Sequence, residues 1–301
     1  VTTAVPEETH VDKHVSPGEV KMEKSLPSKT PQVLERYELK YTIPWEMVGA
    51  ISRFIGPYCS LDEYSELSPD NFYLVNSLYF DSPQFHFLKN KENECLNRFN
   101  MRIRSYGAES RPPYFLEIKQ KRRDIIKKYR GKIFDTDVKS VLDIQRMFPD
   151  EKKHLDKNEK NINFFRRLMY VYGAEPKVLV QYRRKAYFSN YDEYARVTFD
   201  IGLRSMEATD SYLPHPVEHL MLPADYENVF DIGTSVILEL KCYTAYVPLW
   251  MMDLIRTFNL RQRGFSKYQV CLNKAFEKYN YLSYMNVSNI PGVFLRDTEE
   301  D

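Results

Sequence analysis

Arg36-Tyr37-Glu38-Leu39-Lys40-Tyr41 alternates a charged side chain with an apolar or aromatic one at every step. In a strand, period two sends Arg36, Glu38 and Lys40 to one face and Tyr37, Leu39 and Tyr41 to the other. The pattern returns along the chain. Met101-Arg102-Ile103-Arg104 turns both arginines one way, and residues 116–121 align Glu117, Lys119 and Lys121. Lys128, Arg130 and Lys132 share a phase, as do Arg196, Thr198 and Asp200, while Glu239 and Lys241 stand against Leu238 and Leu240. A half-buried antiparallel sheet with one wet face also alternates. Across these strands, however, the polar phase is almost entirely Arg, Lys and a few carboxylates, where a solvated face would also carry Ser, Thr and Gln. One architecture accounts for this: an α+β fold built on a closed antiparallel β-barrel tunnel of about eight strands. Its apolar face would pack outward against helices, and its lumen would be wet and basic. Like charges at that density repel, so such a lumen calls for bound anions or interleaved carboxylates.

The rest of the chain fits that frame. Segments rich in Tyr, Phe, Val and Ile predict strands at 35–43, 71–81, 100–106, 114–121, 127–134, 177–188, 196–203 and 235–243. Helices are expected at 45–54 behind Pro44, as a pair at 138–148 and 161–172, and at two C-terminal stretches. The first of these repeats Trp250, Met251, Leu254, Ile255 and Phe258; the second repeats Tyr268, Cys271, Leu272, Ala275, Phe276 and Tyr279. Residues 205–233 read as loop. The first 33 residues contain no aromatic and several prolines and are expected to be a disordered tail; 34–281 form the folded domain and 282–301 a second tail.

Composition removes several classes of function. Lys and Arg total 43 and Asp and Glu 42 in 301 residues, a net charge of +1, which does not suit a protein that coats nucleic acid. No apolar run approaches the roughly 20 residues a membrane helix needs. Four scattered cysteines without a CxxC pair predict free thiols and a reducing, cytoplasmic location. There is no βαβ alternation and no Gly-rich phosphate loop. His215 and His219 are four apart, but Pro214 and Pro216 break the helix a metal pair would need.

In order, RYELKY (36–41), SLYFD (77–81), MRIRSYG (101–107), FLEIKQK (115–121), YRRKAY (182–187), RVTFD (196–200), ILELK (237–241) and FSKY (265–268) resemble the polyphosphate polymerase (VTC) domain. That domain lies within the CYTH-like triphosphate tunnel metalloenzyme superfamily. The resemblance implies a tunnel that binds ATP and a growing polyphosphate or pyrophosphate chain, with Mn²⁺ or Mg²⁺, and that moves the terminal phosphate of ATP onto the chain. By position it implies catalytic roles for Lys40, Arg102, Arg104, Lys119, Arg184, Arg196 and Lys267. It gives phosphate-chain contacts to Lys121, Lys128 and Lys241, and metal binding to Glu239. The superfamily's first-strand ExExK signature is incomplete: only Glu38-x-Lys40 fits, and Glu35 is out of phase. Fewer inward carboxylates point to one firmly held metal and away from a dedicated tripolyphosphatase or adenylate cyclase. Two alternatives stand beside the polymerase: a triphosphate or nucleoside triphosphate hydrolase on the same fold, and a non-catalytic polyphosphate sensor. Nucleic acid is not expected as a partner, because the aromatics fall mostly on the apolar phase; a membrane partner stays open.

Overall fold

Ten strands and seven helices are laid out in the computed structural model, which describes residues 36–123, 125–143, 145, 155–209, 211–225, 233–243 and 246–277. Both predicted tails lie outside the described residues. In chain order the strands are β1 (Arg36–Ile43), β2 (Cys59–Leu61), β3 (Tyr73–Asp81), β4 (Asn97–Tyr106), β5 (Tyr114–Arg122), β6 (Ile125–Ile133), β7 (Glu175–Ser189), β8 (Ala195–Glu207), β9 (Leu222–Pro223) and β10 (Val236–Tyr243). The helices are α1 (Glu46–Ile55), α2 (Glu63–Glu66), α3 (His86–Glu92), α4 (Val138–Val141), α5 (Lys157–Tyr172), α6 (Leu249–Thr257) and α7 (Lys267–Glu277).

All pairings are antiparallel, in the order β1-β10-β8-β7-β3-β4-β5-β6, with β2 added to β7 and β9 to β8. The tunnel architecture is the one the alternation predicts, with one difference. Among the described residues no backbone ladder joins β1 to β6, so the sheet is curled but not closed. Side chains bridge the gap instead: Lys119 Nζ on β5, the strand beside the β6 edge, lies 2.6 Å from Glu38 Oε2 on β1.

The outward phase is apolar and buried under helices. Tyr41, Val197, Phe199, Leu238 and Leu240 form one cluster with Val48 and Ile51 of α1 and Trp250, Met251 and Leu254 of α6. Leu78, Phe80, Met101, Ile103, Leu116 and Ile118 form another with Ile162 and Phe165 of α5. Asp156 and Glu159 make a reciprocal capping box that starts α5, and Gly173, at φ 56°, ends it.

α7 departs from the expected plan. On β3 and β7, the phase that faces the arginines is itself partly apolar, with Tyr73, Val75, Tyr79, Val178, Val180 and Tyr182, and α7 packs there through Tyr268, Cys271 and Leu272. The C-terminal helix therefore lines the concave side instead of clothing the outside. Two boundaries also differ. The 138–148 helix is reduced to α4, with residues 144 and 146–150 outside the described residues. β8 runs on to Glu207, where 205–233 read as loop, because Gly202 at φ 59° marks a bulge opposite 181–183 and not a strand end.

Candidate functional site

The shared inward phase gathers nine cationic side chains around four carboxylates. They fall into two groups. Glu117, 2 % exposed at its side chain, is the hub of the first. It faces Arg102 Nη2 at 2.7 Å, Lys128 Nζ at 2.7 Å, Arg130 Nε at 3.4 Å and Arg104 Nε at 3.8 Å. The strand register explains this convergence, since Arg102, Glu117 and Arg130 are direct cross-strand neighbours on β4, β5 and β6. Burial alone would push the Glu117 carboxyl up, but Arg104, Arg102 and Lys128 outweigh it and hold the group well below the usual carboxylate range.

Glu239 and Asp200 form the second hub. Lys241 Nζ lies 2.8 Å and Lys267 Nζ 3.1 Å from Glu239, with Arg184 at 3.8 Å and Lys40 at 4.0 Å. Arg184 donates through Nε and Nη2 to the two Asp200 oxygens at 2.6 and 2.7 Å, a bidentate fork, and Lys267 also reaches Asp200 at 2.7 Å. Burial raises both carboxyls less than the surrounding cations lower them: Lys241, Lys267, Lys40 and Arg184 for Glu239, Arg184 and Lys267 for Asp200. Lys267 moves the other way; burial disfavours its charge, yet Asp200 and Glu239 lift it above an ordinary lysine. Lys40 Nζ also donates to the Phe265 carbonyl at 3.0 Å, tying β1 to the turn that leads into α7.

Glu38 extends the second hub towards β5, and Tyr182 links the two. Glu38 takes Lys119 at 2.6 Å and Lys40 at 3.5 Å. Tyr182 accepts from Arg104 Nη2 at 3.3 Å while Lys267 sits 5.0 Å above its ring.

Lys40, Arg184, Lys241, Lys267 and Glu239 are thus brought together, as are Arg102, Arg104 and Lys128, with Lys119 between the groups. Two residues stand apart. Arg196 pairs with Asp62 at 3.4 Å and lies 4.6 Å over the Phe188 ring. The Lys121 side chain makes no ion pair or hydrogen bond among the described residues. Sequence reasoning saw Glu38, Glu117, Asp200 and Arg130 as face residues without giving them a role. It missed Lys91 of α3, whose Nζ donates to Gln269 of α7 at 3.3 Å and whose charge is disfavoured by burial and by Lys40 and Arg98.

Nine cations against four ionised carboxylates leave a lumen with a strong positive excess, which suits a ligand carrying several negative charges in a row. Among the described residues no group of three or more His, Cys, Asp or Glu could hold a metal ion. His215 and His219 are both exposed. Cys59, Cys95, Cys242 and Cys271 are free thiols. No helix among the described residues is long and apolar enough to cross a membrane.

A curled antiparallel sheet with carboxylate-centred cation clusters along its concave face defines the triphosphate tunnel class. The VTC domain family model matches residues 35–276, and the chain belongs to that family. No curated protein matches the sequence. Three solved structures are distantly similar. A candidate adenylate cyclase (bh2851) of Bacillus halodurans is 12% identical, with 78% of this chain and 94% of that one covered and a TM-score of 0.41. For the PH1819 protein of Pyrococcus horikoshii OT3 the values are 13%, 82%, 99% and 0.38. For HpAC1, a candidate adenylyl cyclase of Hippeastrum described as having a dominant triphosphatase activity, they are 15%, 80%, 96% and 0.40.

Proposed function

We propose that this chain is a polyphosphate polymerase, in which an oxygen of a phosphate-chain end attacks the terminal phosphorus of ATP. The bond to the β-phosphate oxygen breaks, ADP leaves, and the chain grows by one phosphate. The observation that carries this reading is that each of the four carboxylates among the clustered cations is already engaged. Glu117 holds Arg102 and Lys128, Glu239 holds Lys241 and Lys267, Asp200 holds Arg184 and Lys267, and Glu38 holds Lys119 and Lys40. None is available as a general base. A water nucleophile would want one, whereas a phosphate end is ionised beforehand and needs only positioning and charge neutralisation.

The chain's residues divide that work. Arg102, Arg104 and Arg184 suit bidentate contacts to the reacting phosphates, and Lys40, Lys119, Lys128, Lys241 and Lys267 supply point charges along the chain. Arg196 and Lys121 would serve at its outer reaches. Glu239 is ionised and offers hard oxygen donors of the kind Mn²⁺ or Mg²⁺ takes, but Lys241 and Lys267 already hold it, so it would receive the metal only as those lysines turn to the incoming phosphates. A bound divalent cation would neutralise charge on the reacting phosphates. With no group of three acidic, histidine or cysteine side chains among the described residues, Glu239 would be the protein's share of the metal's donors.

The test is incubation of the purified chain with ATP and Mn²⁺ or Mg²⁺, with products resolved on a gel stained for polyphosphate. The expected result is a ladder of anionic polymer with matching ADP. Free phosphate without polymer would show a hydrolase, and triphosphate binding without turnover a sensor.

A further inference from the structure

Tyr106 falls on the same phase of β4 as Arg102 and Arg104, two residues beyond the second arginine. Phe115 lies opposite Arg104 on β5, again on the basic phase. The end of the lumen where β4 finishes and β5 begins is therefore aromatic. Tyr106 is joined there by Tyr64 of α2, ring centroids 5.1 Å apart and 27° between planes, and by Tyr73 of β3 at 6.0 Å.

Arginines border this group. The Arg130 guanidinium sits 3.7 Å over the Phe115 ring and donates to the Tyr106 hydroxyl at 3.3 Å. Asp62 anchors the assembly. Its Oδ1 accepts from the Ser65 amide and so caps α2, and its Oδ2 accepts from the Tyr73 hydroxyl at 3.1 Å and from Arg196 at 3.4 Å. A carboxylate thus fixes a four-residue helix at the mouth, and that helix presents a tyrosine that is 47% exposed. The Tyr64 ring rests on Tyr106 and, tilted by 43°, against Tyr73 with centroids 5.4 Å apart; about half of the residue stays open to solvent.

We infer that Tyr64 and Tyr106 form a stacking ledge for the base of a nucleoside triphosphate whose phosphates extend into the lumen. The spacing suits that ligand. At about 3.4 Å per residue, Arg104 and Arg102 lie roughly 7 and 14 Å along β4 from Tyr106, the span from a base to its β- and γ-phosphates. Aromatic stacking accepts the π-face of any base, so ATP and GTP should be held alike. Arg104 and Arg130 outweigh the effect of burial and draw the Tyr106 hydroxyl below an ordinary tyrosine, which agrees with a positive field at this mouth. The inference rests on the proposed function and adds where the nucleoside sits.

Calorimetric titration of the full chain with ATP and, separately, with inorganic triphosphate tests it, in the wild type, Tyr64→Ala and Tyr64→Trp. Because Tyr64 is about half exposed and lies outside the buried core clusters, its variants should fold. Tyr64→Ala should weaken ATP about tenfold, the scale of one lost base stack, and leave triphosphate unchanged; Tyr64→Trp should restore ATP. If ATP and triphosphate weaken together, or if neither changes, the ledge is only packing and the inference is wrong. A wild-type chain that binds neither ligand overturns the proposed function itself, and this site with it.

Discussion

Lys119 of β5 and Glu38 of β1 meet at 2.6 Å although their strands are not neighbours in the sheet. The contact is the seam of the tunnel. It joins the edge strand β1 to β5, the neighbour of the opposite edge strand β6, without a backbone ladder, and it does so with residues of the basic phase. Burial alone would raise the Glu38 carboxyl, yet Lys241, Lys119 and Lys40 hold it well below the usual range, so the bridge stays charged at neutral pH. The side chains are 39% and 22% exposed, so the pair adds little to global stability, about 0–1 kcal/mol.

Lys119→Ala should therefore leave the melting temperature almost unchanged but loosen the edge. Amide hydrogen exchange in the β1–β10 ladder should rise severalfold, while β5–β6, pinned under α5, stays protected. Equal exchange in β1 before and after the substitution would mean that α1 and α6 alone hold the edge.

Two lysines make ligand binding sensitive to pH. Lys128 is about half open to the lumen, but its surroundings disfavour its charge and Arg102 and Arg104 lie close; against the pull of Glu117 it is brought down to about 7. Lys91 is brought down to about 8 by burial and by Lys40 and Arg98. Both lie below the ordinary value of about 10.4, so the unfolded chain binds more protons between these limits and their contribution to stability grows as pH rises. A polyanion favours the charged lysine, so its binding at pH 8 should take up protons and weaken as pH rises from 7 to 9. Triphosphate titrations in two buffers of different protonation heat measure the uptake directly. Lys128→Arg, which cannot lose its charge, should reduce it.

Much of this was legible in the sequence. Where one face of a strand is buried and the other lines a charged lumen, alternation reports both the strand and its register, so β1, β4, β5, β8 and β10 were readable from it. Glu239, Arg184 and Lys267 also came from residue order, through the family motifs. The place of α7 on the concave side was not legible, because a helix with one apolar face reads the same whether it covers the outside of a barrel or enters it. What distinguishes the two is the apolar inward phase of β3 and β7, Val75 and Val180 among it, and that is visible only after β3 and β7 are paired. Tyr106 was given no role: it stands in the 101–107 motif, whose two arginines alone were assigned. The Asp62 anchor joins residues 134 apart in sequence, beyond the reach of any local pattern.

Gly131 allows a stability prediction that does not depend on chemistry. A Cβ at that position would stand 2.7 Å from Ile162 Cγ1 and 3.2 Å from the Ile162 amide nitrogen, so β6 and α5 pack backbone to backbone there. Ile162 is buried and β-branched and has little room to turn. Gly131→Ala should cost about 1–3 kcal/mol by overpacking and lower the melting temperature by several degrees. ATP and triphosphate affinity should be unchanged at temperatures where the variant is folded. An unchanged melting curve would show that α5 shifts freely.

Glu239 carries the sharpest test, because its two plausible duties pull in opposite directions. As a counter-ion it neutralises Lys241 and Lys267 at close range and Lys40 and Arg184 further off. Glu239→Gln keeps the shape and removes the charge, which leaves four cations facing one another with Asp200 serving only two of them. Removing one member of a buried ion cluster costs roughly 3–5 kcal/mol, so the unliganded variant should melt early. Those same cations then await an anion, so inorganic triphosphate should bind at least severalfold more tightly than to the wild type and recover most of the lost stability. Turnover with Mn²⁺ or Mg²⁺ should nevertheless disappear, since the one carboxylate suited to the metal is gone. Tighter binding with no polymer separates the metal role from the scaffold role. If triphosphate affinity falls together with turnover, Glu239 holds the lysines in place and the metal needs another ligand.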